Sequence, residues 1–194
     1  MNTVQRLMNS IAGASAAMLL VACATDAPLA SERLSAPSTP LALGAPGRAA
    51  PELGVCENLA PPLGSTFAYH VYARGVQIYR WDGQAWAPVG PSAELYANAN
   101  FKGLVGTHFA GPRWQSLSGS TVRGVVIDRC VYDANAIPWL SLAGVPESGP
   151  GVFAHTTFIQ RVNTVGGKAP AAPGSLNQVV EIPYTAEYYF YRAP

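Results

Sequence analysis

Val76-Gln77-Ile78-Tyr79-Arg80-Trp81, then Asp82-Gly83, then Gln84-Ala85-Trp86, is the stretch whose reading decides the fold class. Val, Ile, Tyr and Trp suit a pleated, half-buried surface. Asp-Gly between two aromatic-rich runs is a strong hairpin signal, because both turn positions favour φ > 0. Upstream, Phe67, Tyr69 and Val71 alternate with Ala68, His70 and Tyr72 before Arg74-Gly75. Downstream, residues 91–97 (PSAELYA) read as one short helical turn or an irregular strand. Further strands are expected at 103–110, 112–116, 121–131, 137–144, 152–165 and 179–192. Turn residues separate them: Gly111-Pro112, Ser118-Gly119-Ser120, Asp133-Ala134-Asn135 and Ser148-Gly149-Pro150-Gly151. Together with the two runs around Arg74-Gly75, this predicts about nine mostly antiparallel strands and no helix long enough for a βαβ crossover. The fold class is all-β, a sandwich or a barrel. The tyrosines Tyr184, Tyr188, Tyr189 and Tyr191 spread over both faces of the last strand and read as sheet packing.

Composition agrees. The chain has 194 residues, 12% charged, with a formal net charge of +1. That balance offers no electrostatic footprint for nucleic acid. Gly 19 and Pro 17 stay below the level of low-complexity chains. A hydrophobic fraction of 49% is enough to fill one core.

The first residues read as an address. Arg6 precedes an apolar run over 11–21 (IAGASAAMLLV), too short to span a bilayer and of signal-peptide length. It ends Leu20-Val21-Ala22-Cys23, which resembles a bacterial lipobox. The resemblance implies a signal peptide over 1–22, cleavage before Cys23 and acylation of that cysteine. The other reading is an ordinary signal peptide that contains Cys23. Ala24, rather than Asp, implies sorting to the outer membrane, facing the periplasm or the cell surface. Residues 23–55 are rich in Ala, Pro and Ser and read as a semi-stiff linker, with a short docked helix around Leu29 to Leu34 as the alternative. A single β domain is expected over 56–194.

With Cys23 lipidated, Cys56 and Cys130 remain as an even pair in an oxidising compartment. They read as a disulfide, with two free buried thiols as the alternative. No C-x-x-C is present, and the three histidines share no ligand spacing, so no metal site and no cofactor is expected. The chain lacks G-x-S-x-G, H-E-x-x-H and S-x-x-K. Gly167-Lys168 mimics a P-loop end, but Val162 and Ala169 break that pattern.

The best remaining constellation is His108 with Trp114, joined by Arg161, Gln160, Gln77 and Tyr79. Amphipathic aromatic rings and a guanidinium fork suit sugars, carboxylates or aromatic ligands. The plain alternative is a core histidine, stacked aromatics and a structural arginine.

Five blocks carry a resemblance: GVQIY (75–79), HFAGPRW (108–114), AIPWL (136–140), FIQRVNTVGGKAP (158–170) and VEIPYTAEYYFYR (180–192). In order and spacing they resemble the DUF3455 family, secreted bacterial and fungal proteins of unknown function, over about residues 60 to 193. The resemblance implies an extracytoplasmic β-rich domain and no particular activity. Many members place one cysteine just after GVQIY and another after GGKAP. Here those places read Tyr79-Arg80-Trp81 and Pro173-Gly174-Ser175. The joint absence implies that Cys56 and Cys130 replace that staple.

Two functions fit. One is an envelope-anchored lipoprotein, attached to the membrane by its lipid. Its β domain would be non-catalytic and would bind a small molecule, a glycan or an envelope protein. The other is an extracytoplasmic, hydrolase-like enzyme with His108 as general base and Arg161 stabilising an anion. A buried His108 bonded only to backbone favours the first.

Overall fold

The computed structural model describes residues 50–194. Residues 1–49, with the expected signal peptide, Cys23 and most of the linker, lie outside the described residues.

Eight antiparallel strands form a closed barrel in chain order: β1 (Thr66–Trp81), β2 (Trp86–Tyr96), β3 (Leu104–Phe109), β4 (Arg113–Ser116), β5 (Thr121–Cys130), β6 (Trp139–Ser148), β7 (Phe158–Gly166) and β8 (Val179–Arg192). A 3₁₀ helix, Gly54–Leu59, precedes them, so the expected linker end at residue 55 falls inside that helix. β8 returns to pair with β1, which removes the free edges that an open sheet exposes.

Three local expectations are corrected. Arg74-Gly75 is not a turn: β1 runs straight through it, with Gly75 opposite both Ala93 and Tyr184. A Cβ on Gly75 would lie 2.1 Å from the Ser92 carbonyl oxygen, so the glycine serves a close approach between strands. Of the two readings of 91–97, strand holds for residues 91–96, in β2; residues 152–157, expected as strand, are not. Instead, Phe153 drops into the core from the β6–β7 connection. The Asp82-Gly83 hairpin is a four-residue loop. Asp82 Oδ1 accepts the backbone N–H of Gln84 and of Ala85, each at 2.8 Å, and only Gly83 takes positive φ.

Alternation along β8 separates two cores. Tyr184, Ala186, Tyr188 and Phe190 join Val71, Leu95, Trp114, Val122, Leu142 and Ile159, drawn from around the wall, so this cluster fills the barrel interior. Tyr189 and Tyr191 face outward, with Trp139, Phe158 and Val162, beneath Leu53, Cys56 and Leu59. The 3₁₀ helix is therefore a strap over the outer wall. Cys56 and Cys130 are disulfide-bonded, Cα atoms 5.7 Å apart, which fastens the strap to the end of β5.

The wall is low at β3 and β4. The last β2–β3 pair at that end is Ser92 with Phe109, and the last β4–β5 pair is Arg113 with Arg123. β2 and β5 both continue past these pairs.

Candidate ligand-binding site

The β3–β4 register sets His108 opposite Trp114. Their rings stack with centroids 4.3 Å apart and planes 9° from parallel. Tyr188 meets both edge-on, at 5.0 and 5.2 Å. His108 Nδ1 donates to the Arg113 carbonyl at 2.8 Å, which leaves the Nε2 lone pair free in the neutral tautomer. Burial pushes the His108 pKa down to about 3; the Arg113 carbonyl opposes this and the Arg161 charge adds to it. The imidazole is neutral at any ordinary pH.

Ile159 packs into the barrel interior and Val162 into the outer cluster. The period-two alternation of β7 places Arg161 with Ile159, inside. Arg161 Nε and Nη2 donate to the Pro138 carbonyl at 3.2 and 2.8 Å. His108, Trp114, Arg161 and Tyr188 then line one cavity of about 60 Å³, completed by Leu140, Leu142, Pro91 and Pro112.

The other three candidates lie elsewhere. Gln160 is on the opposite face of β7 and is corrected from ligand contact to structural clamp. Its Nε2 donates to the Leu59 carbonyl at 2.7 Å, and its Oε1 accepts the Tyr191 hydroxyl at 2.7 Å. Gln160→Leu is expected to cost about 2 kcal/mol, because both partners stay buried and unsatisfied. Urea denaturation measures this, and ligand binding in the barrel should not change. Tyr79 lines a separate apolar hollow of about 340 Å³ with Ile137, Pro138 and Lys168. Its hydroxyl donates to the Gly167 carbonyl at 2.7 Å. Gln77 is buried beside Tyr184; a Cβ on Gly167 would touch both.

Sequence reasoning passed over Tyr188 as sheet packing. The signal was its register: Tyr184 and Tyr188 fall on the inward face of β8, Tyr189 and Tyr191 on the outward face. Burial raises the Tyr188 hydroxyl pKa, so it stays protonated and can donate. Five polar side-chain atoms among the described residues are buried with no hydrogen-bond partner: Trp114 Nε1, Tyr188 Oη, Tyr184 Oη, Gln77 Nε2 and Thr156 Oγ1; the Tyr184 hydroxyl lies near both Gln77 and Tyr188. The other histidines are apart. His70 bonds Glu187 at 2.8 Å on the outer face of β1, and His155 is exposed between β6 and β7. Among the described residues, no group of three His, Cys, Asp or Glu could hold a metal.

The family model described as "Protein of unknown function (DUF3455)" matches residues 62–192. The chain belongs to the DUF3455 family. The match spans all eight strands and leaves the strap, Gly54–Leu59, outside it. No curated protein and no solved structure matches the chain. The two neighbourhoods where the DUF3455 resemblance implies cysteines meet in this barrel. Trp81 N–H donates to Gln178 O at 2.8 Å, and Trp86 Nε1 donates to Ala172 O at 2.9 Å. Tryptophans and backbone hydrogen bonds hold that corner, while Cys56–Cys130 staples a different place.

Proposed function

We propose that this DUF3455 chain is an envelope-anchored lipoprotein whose barrel is a non-catalytic domain that binds a small molecule. The anchor reading rests on the residue 11–21 run and Leu20-Val21-Ala22-Cys23, and places the domain at the outer membrane. The binding reading rests on one observation. The interior holds a cavity edged by Trp114 and Tyr188, each with a buried, unpartnered polar atom. Such atoms cost free energy unless water or a ligand satisfies them. A cavity near 60 Å³ is far below the roughly 300–1,000 Å³ of drug-sized pockets, which argues against a glycan. His108 as general base loses support. It is bonded to backbone alone, and a pKa of about 3 makes it a poor proton acceptor near neutral pH.

The test is a thermal-shift screen of small anions, amines and neutral polar molecules on the full chain and on Leu140→Phe, which narrows the cavity. At least one class should raise the melting temperature of the wild type and not that of L140F. Equal shifts in both, or none in either, overturn the binding reading. An unmodified mature N-terminus at Cys23 by mass spectrometry overturns the anchor.

A further inference from the structure

We infer that the ligand of the barrel cavity is a small carboxylate-type anion gripped by Arg161; this rests on the binding reading above and names its ligand class. Arg161 carries a permanent charge into the barrel interior. The ion pairs among the described residues are His70–Glu187, Arg113–Glu147 and Arg123–Glu147, and none includes Arg161. Of the five N–H donors of the guanidinium, those on Nε and Nη2 reach one carbonyl, and the Tyr188 hydroxyl lies close beside the group. Its remaining fork is suited to a bidentate carboxylate.

The surroundings point the same way. The unpartnered Trp114 Nε1 is an obligate donor, and the Tyr188 hydroxyl is held protonated. Trp114 and Tyr188 are each only 1% exposed, so bulk water does not satisfy them. No carboxylate lines the cavity. Arg161 is partly buried, so solvent reaches part of its charge; a cationic ligand would meet it as a like charge, and an anion would gain a pairing that a neutral ligand would not. The neutral His108 adds no second charge, so a monoanion balances the site.

Size sets the limit. At roughly 10–15 Å³ per water-sized position, the cavity admits about four to six heavy atoms. Acetate and nitrate, with four heavy atoms each, fall within this range, and formate, with three, is smaller still. A hexose does not.

The experiment titrates the full chain with sodium acetate and sodium formate at constant ionic strength, with acetamide as the neutral isostere. Saturable rises in melting temperature and changes in tryptophan fluorescence are the readouts. Acetate and formate should bind, and acetamide at least tenfold more weakly. Arg161→Gln should weaken acetate at least tenfold, and Arg161→Lys less. Trp114→Phe, which keeps the stack and deletes the N–H, should also weaken it. Acetamide binding as well as acetate, or acetate binding unchanged in both R161Q and W114F, overturns the anion inference while the binding reading stands. If only amines or neutral compounds act through the cavity, the outcome is the same. If no compound acts through it, both fall.

Discussion

Acidification from pH 6.5 to pH 3 is expected to remove on the order of 4 kcal/mol of folding stability through His108 alone, with a slope that approaches about 1.4 kcal/mol per pH unit between the two pKa values. The folded-state pKa is about 3, against 6.5 for the unshifted side chain. Between those values the unfolded chain binds a proton that the folded chain refuses. Stability is therefore fully present above 6.5 and drains away as pH falls towards 3. The cause is geometric. The ring is 2% exposed, lies flat against Trp114, and shares its cavity with the Arg161 cation. Protonation would place a second positive charge there. Urea denaturation of wild type and His108→Asn between pH 6.5 and 4.5 checks this, above the range where carboxylates dominate. Asn retains a donor for the Arg113 carbonyl and does not titrate. The N variant should start less stable and show a slope flatter by about 1.4 kcal/mol per unit. Parallel slopes would show that the barrel opens without cost around the charged ring.

Reduction of Cys56–Cys130, or the double substitution Cys56→Ser, Cys130→Ser, is expected to cost about 4 kcal/mol in the loop-entropy model. The two cysteines are 74 residues apart in sequence. Chain entropy is only part of the effect. The strap covers Trp139, Phe158, Val162, Tyr189 and Tyr191, and the Leu59 carbonyl satisfies Gln160. Asn58 Nδ2 also donates to Asp128 Oδ2 at 2.9 Å, a weak exposed tie. Without the disulfide, these contacts alone hold the strap. The melting temperature should fall by about 10 °C or more. Calorimetry with and without reductant measures it. Unchanged melting in the double variant would mean that the strap holds by packing alone. Because the strap lies on the outer wall, anion binding inside the barrel should survive its loss.

The sheet class was legible in single residues. β-branched and aromatic runs broken by Asp82-Gly83, Gly111-Pro112 and Ser118-Gly119-Ser120 make strands wherever they sit, because these are local backbone preferences. The bounds of β8 fell where the alternation placed them, at 179–192. Gly75 was misleading, since a glycine within a run signals either a turn or a close contact. Only the neighbour 2.1 Å from its missing Cβ tells which. The pairing of His108 with Trp114 was half legible, because a tight Gly111-Pro112 turn sets them opposite each other. Arg161 and Gln160 were not separable. They are adjacent in sequence and take opposite faces, and which face is inside depends on barrel closure.

By itself, then, the sequence determined an all-β chain of the DUF3455 family with a cysteine pair suited to bonding. These follow from local propensity, block order and cysteine count. Tertiary structure alone decided that the sheet closes on itself and that Tyr188 and Arg161 share the interior with His108. It also decided that Gln160 serves the strap. These are outcomes of strand register, and register is set by pairings between residues as far apart in the chain as Thr66 and Arg192.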